Sequence, residues 1–177
     1  MTALGSVLAG GDPFSVTIHP NGRFAYVANR GGGNNVRVFS IDGLTGALVN
    51  LSSAAADSSS PRSITVSSNG RFAYVAGLVS RNVSAFTINA ITGALTGVGA
   101  PVAAGQSPSS VTVGPSGQFA YVANLASGDV SVFTIDAITG ALTGVGAPVA
   151  AGLSPSSVTV DPSGQFAYVA NNFSSDI

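Results

Sequence analysis

The sequence predicts an all-β fold, a β-propeller of four-stranded antiparallel blades, and three observations lead there. The string Phe-Ala-Tyr-Val-Ala occurs four times, beginning at Phe24, Phe72, Phe119 and Phe166, at spacings of 48, 47 and 47 residues. A fixed period of this length marks a repeat architecture. Each period holds four short runs of β character separated by turn residues. The chain contains neither Glu nor Lys, so the usual solvent face of a helix is missing, and helical repeats of similar period fall away.

The repeat around Phe119 shows the elements most clearly. Ser110–Val113 alternates polar and β-branched residues and reads as a first strand. Gly114-Pro115-Ser116-Gly117 then makes a turn, with Pro preset for its second position and Gly free to take positive φ. Phe119–Ala123 is the second strand, Asn124–Asp129 a polar loop, and Val130–Ile135 the third strand. Asp136-Ala-Ile-Thr-Gly140 follows, where Asp136 is placed for an Asx-turn and Gly140 for a bulged hairpin. The fourth run, Ala141–Ala150, is Gly-rich and contains Pro148, which suits an edge strand.

Dividing 177 residues by 47 gives about 3.8 repeats. The whole chain, 1–177, reads as one domain. Residues 1–14 would carry the outer strand of a preceding blade, with Ala3–Leu8 as that strand. Residues 15–61, 62–108 and 109–155 form three blades, and 156–177 starts a fourth. Three closures are open: a partial ring of a longer propeller, a half-ring completed by a second copy, or a four-bladed ring. Unclosed blade faces would favour self-association.

Composition narrows the function. Charge is sparse, with six Arg and seven Asp, and a net of −1. No basic run tracks phosphates, so nucleic acid is not an expected partner. No apolar stretch is long enough for a membrane span. There are no Cys, hence no disulfides and no thiolate metal sites, and no cofactor is implied. The low charge favours an extracellular or cell-surface setting, although no signal peptide is visible in the N-terminal residues.

The Phe-Ala-Tyr-Val-Ala-Asn strand, the His-Pro-Asn-Gly or Asp-Pro-Ser-Gly turn before it, and the Ile-Asp-x-x-Thr-Gly-Ala-Leu hairpin together resemble the lactonase-like propeller family. That family includes 6-phosphogluconolactonases and YVTN-repeat surface proteins. The resemblance implies seven blades and carries no active site onto residues of this chain.

Candidate site residues come from the loops that differ most between repeats: Arg30 to Asn35, Gly77 to Asn82, Asn124 to Asp129 and Asn171 to Asp176. Arg30, Arg62 and Arg81 fall on this variable face in adjacent blades and are the candidate site for a small anionic or sugar ligand. His19, the one imidazole, fills a slot taken by Ser67, Gly114 and Asp161 elsewhere, which reads as turn capping. Without a catalytic constellation, the residues point first to a non-enzymatic module for binding or surface scaffolding. The alternative is a sugar-lactone hydrolase of the 6-phosphogluconolactonase type.

Overall fold

In a computed structural model, the chain is described at residues 5–31, 33, 35–56 and 59–177. Ala3 and Leu4 of the expected outer strand lie outside these residues, and Gly5–Gly10 carry no strand. All sixteen elements among the described residues are strands.

The first sheet runs β1 (Gly11–Ile18), β2 (Phe24–Gly31), β3 (Asn35–Ile41) and β4 (Leu48–Ala55) in sequential antiparallel order. The second repeats this with β5 (Pro61–Val66), β6 (Phe72–Gly77), β7 (Asn82–Ile88), β8 (Leu95–Gly97) and β9 (Val102–Ala103). The third holds β10 (Pro108–Val113), β11 (Phe119–Asn124), β12 (Asp129–Ile135), β13 (Leu142–Gly144) and β14 (Val149–Ala150). The fourth has β15 (Pro155–Val160) and β16 (Ala167–Asn171). The first strands β1, β5, β10 and β15 pack beside one another in succession, so they form the inner row of the propeller.

The outer strand is where the repeats differ. In the third sheet it breaks into β13 and β14, which pair with opposite ends of β12. Gly146 at φ 61° and Pro148 lie between the pieces. The second sheet breaks the same way around Gly99 and Pro101. Leu48–Ala55 contains neither Gly nor Pro and stays continuous, with one irregularity opposite Val38 and Phe39.

The inner strands start earlier than the Ser-Val-Thr-Val alternation indicates. Each contains a β-bulge, between Pro13 and Ser15, Pro61 and Ser63, Pro108 and Ser110, and Pro155 and Ser157. The residue before each Pro is held in left-handed conformation: Asp12 at φ 52°, Ser60 at 57°, Ser107 at 56° and Ser154 at 56°. The bulge sets one residue per sheet outside the ladder, and these four are Phe14, Arg62, Ser109 and Ser156.

Two apolar clusters join the sheets. Phe24, Tyr26 and Ala28 of the first pack against Ile64, Ala73, Val75 and Phe86 of the second. Phe72, Tyr74 and Ala76 of the second pack against Val111, Ala120, Val122 and Phe133 of the third. Each joint is locked by a tyrosine. The Tyr26 hydroxyl donates to the Gly93 carbonyl at 3.1 Å, and Tyr74 donates to Gly140 at 3.0 Å. Burial pushes the Tyr26 phenol up to about 12 and raises that of Tyr74 further. Gly93 and Gly140 sit directly over the Phe24 and Phe72 rings, where an added Cβ would stand 2.6 and 2.3 Å from ring carbons. Only glycine combines that approach with φ of 72° and 78°.

The Asx-turns form as expected. Asp42, Asn89 and Asp136 each accept two backbone N–H bonds from the residues two and three positions on. The Thr45 and Leu44 contacts hold the Asp42 carboxyl below its ordinary value, and Thr139 and Ile138 do the same for Asp136.

Candidate functional site

The bulges place Phe14 and Arg62, equivalent residues of adjacent inner strands, beside one another. The Arg62 guanidinium carbon lies 4.3 Å from the Phe14 ring centroid. Arg30, from the end of β2, approaches the same ring at 5.3 Å. Its Nε donates to Asp12 Oδ2 at 2.8 Å, the carboxylate of the left-handed residue that opens the bulge. Two cations thus share one aromatic ring, and one of them, Arg30, also holds a carboxylate.

The electrostatics single out Arg62. Burial, and then the neighbouring charge of Arg30, lower its pKa from the ordinary guanidinium value. The side chain stays charged, since arginine does not deprotonate in proteins, and among the described residues Asp12 pairs with Arg30. The arrangement therefore presents an aromatic face beside a cation that no carboxylate among the described residues pairs. An aromatic ring stacks on the apolar face of a sugar, and the guanidinium fork matches a phosphate or carboxylate.

Of the three arginines expected here, Arg30 and Arg62 meet and Arg81 does not join them. Arg81 lies at the β6–β7 turn at φ 56°, exposed, with its backbone bonded to Gly77 and Ala104. No ring, ion-pair or charge contact among the described residues links it to the pair. The residues missed from sequence are Phe14 and Asp12. The available signal was alignment of Phe14 with Arg62, Ser109 and Ser156, since a position that exchanges Phe, Arg and Ser is free of the ladder. In the later sheets Ser109 donates to the Ala123 carbonyl of its own sheet and the Pro155 carbonyl of the next, and Ser156 donates to Ala170, so hydrogen bonds fill the same slot.

His19 is buried and fully engaged. Its Nδ1 accepts the Asn21 N–H at 3.1 Å, which leaves Nε2 carrying the proton that it donates to the Gly70 carbonyl at 2.9 Å. This assignment of the tautomer follows from the hydrogen-bond network. The imidazole caps its own turn and pins it to the next sheet. A second exposed hollow, of about 470 Å³, is lined by Tyr121, Val130, Val132, Tyr168 and Ile177 beside the free edge of β16. Its walls are largely apolar and it gathers no cluster of ionisable groups. Among the described residues no group of three or more His, Asp or Glu is placed to hold a metal ion.

The seven-bladed β-propeller lactonase family matches this chain over residues 11–112 and again over 100–177. The chain belongs to that family. Solved structures agree on the lactonase-type propeller. A candidate 6-phosphogluconolactonase from Bacteroides uniformis superposes with a TM-score of 0.82 at 22% identity, over 92% of this chain and 48% of that one. A second candidate, from Bacteroides fragilis, gives 0.78 at 24% identity over 92% and 48%. The periplasmic gluconolactonase of Pseudomonas aeruginosa gives 0.77 at 22% identity over 93% and 48%. This lactonase-family chain thus spans about half the length of these structures. Among curated proteins none matches it in sequence. No helix is long and apolar enough to cross a membrane among the described residues.

Proposed function

We propose that this chain works in sugar-lactone hydrolysis and that Phe14, Arg30 and Arg62 hold an anionic sugar lactone at one end of the inner strands. The observation that carries the reading is Arg62, partly desolvated against Phe14, pressed by a second cation and paired with no carboxylate among the described residues. A bound phosphate or carboxylate relieves both the desolvation and the repulsion. Hydrolysis adds water across the ring C–O bond, releasing a hydroxyl and a carboxylic acid that loses its proton. Negative charge grows on the acyl group throughout, and a nearby guanidinium stabilises it. Family membership and the named neighbours support catalysis over the scaffold that the sequence alone favours. A binding module without turnover is the second reading, favoured by the engagement of His19 in packing.

The test is turnover of 6-phosphogluconolactone and of uncharged gluconolactone, with binding of each followed by calorimetry. A hydrogen bond to a charged group contributes about 1.5–3 kcal/mol, so Arg62→Ala should weaken the phosphorylated ligand roughly 10- to 100-fold. The uncharged lactone should change far less, and Phe14→Ala should weaken both. Binding without turnover would decide for the module. Equal losses for charged and uncharged ligands, or no loss, would refute the site.

A further inference from the structure

The first sheet departs from the repeat at three positions, and the three meet in space. At the left-handed residue that opens the bulge, the other sheets carry Ser60, Ser107 and Ser154, at φ 57°, 56° and 56°. The first sheet carries Asp12 there, at φ 52°. Serine therefore suffices for the backbone, and the carboxylate of Asp12 serves another purpose. At the end of the second strand, Leu78, Leu125 and Asn172 occupy the position that the first sheet gives to Arg30. At the bulge itself stands Phe14, where the others have Arg62, Ser109 and Ser156. Asp12 and Phe14 are the carboxylate and the ring that Arg30 reaches, at 2.8 Å and 5.3 Å.

Arg30 and Asp12 together bring hydrogen-bond donors to the site without adding net charge. Their ion pair uses Nε of Arg30, and among the described residues neither Nη atom has a hydrogen-bond partner. That fork is left to donate to the oxygens of a ligand. The charge is supplied by Arg62. Two guanidinium groups and one carboxylate leave the site a net of +1.

Ligand anions differ in how strongly Asp12 repels them. A carboxylate carries one negative charge at neutral pH, and a phosphate monoester about 1.5 to 2. Coulomb repulsion scales with that charge, so it is about twice as strong for a phosphate and absent for an uncharged lactone.

We propose that Asp12 sets the specificity of this site: by offsetting the charge of Arg30 it matches the site to the single carboxylate of a sugar lactone in preference to a phosphate. The inference rests on the anion site proposed above and adds which anion that site prefers. Asp12 acts on the ligand's charge and through Arg30, so it is a positioning residue and not a catalytic one.

Calorimetry on the 177-residue chain tests this with a glucaric acid lactone, whose one free acid group is a carboxylate, with 6-phosphogluconolactone and with uncharged gluconolactone. The wild-type chain should bind the glucaric lactone more tightly than the phosphorylated one. Asp12→Asn keeps an oxygen for the Arg30 Nε–H and tolerates positive φ, so it removes the charge alone. At low salt it should tighten the glucaric lactone about threefold and the phosphorylated lactone roughly tenfold, and leave gluconolactone unchanged. Asp12→Ser, which installs the residue of the other three sheets, should reproduce that order. An equal change for all three lactones would mark a structural role and overturn the proposal, as would a wild-type preference for the phosphorylated lactone. Arg62→Ala separates this inference from the reading beneath it. If that variant weakens both anions while Asp12→Asn leaves their ratio unchanged, the anion site stands and the role of Asp12 falls. If Arg62→Ala weakens neither, the site itself is refuted and the role of Asp12 with it.

Discussion

Replacing Gly140 with alanine should damage the second joint in a measurable and separable way. The new Cβ would stand 2.3 Å from Cδ1 and 2.7 Å from Cε1 of Phe72, a ring packed between two sheets and 2% exposed. The ring cannot swing aside without opening the cluster of Tyr74, Val111 and Phe133. Overpacking of this kind costs about 1–3 kcal/mol, and alanine at φ 78° adds about 1–2 kcal/mol of left-handed strain. The sum is about 2–5 kcal/mol, a large part of the 5–15 kcal/mol that holds a typical domain. Gly146 is the matched control. It has φ 61° and nothing within 4 Å of the added Cβ, so Gly146→Ala should show the backbone strain alone. Urea unfolding followed by far-ultraviolet circular dichroism measures both. A Gly140→Ala midpoint equal to that of Gly146→Ala would refute the idea that the Phe72 contact requires glycine.

Two further outcomes follow from the same structure. Tyr74→Phe removes the bond to the Gly140 carbonyl and should cost about 1 kcal/mol or more in the same urea assay, because the buried acceptor loses its partner. The three turn carboxylates should make stability fall in acid. Hydrogen bonds from Thr45, Thr139 and Ser163 are the largest influences on Asp42, Asp136 and Asp161 respectively, and each pKa lies below the ordinary 3.8. Their contribution is therefore present above that value and lost as pH drops through the lower folded values. Asn89 makes the same turn without titrating. Asp42→Asn with Asp136→Asn should consequently flatten the fall of melting temperature below pH 3.8, and an unchanged slope would refute the assignment.

The sheet count and the strand order were legible because the repeat is nearly literal, and the Asx-turns because Asp and Asn exchange in one slot. Pro148 announced a poor outer strand, and the structure shows that strand cut in two there and again at the equivalent Pro101. The start of each inner strand was not legible. Ser60, Ser107 and Ser154 adopt positive φ with a side chain that gives no local warning, and the bulge that follows breaks the two-residue alternation on which strand reading depends. For the same reason Arg30 and Arg62 were seen as loop charges while the ring between them was not. His19 was read as a turn cap, which its Asn21 contact bears out, but its bond to Gly70 spans 51 residues and leaves no mark in either segment.

The bulge residue gives each blade one position whose side chain can be rewritten while the strand register stays as it is. Phe14, Arg62, Ser109 and Ser156 stand outside the ladder, so changing any of them leaves every backbone pairing intact. Duplicating such units therefore repeats the backbone while leaving this one side chain free to differ from blade to blade. The third and fourth units carry serine at this position, and the first two carry an aromatic and a cation, which is how Phe14 and Arg62 come to face one another.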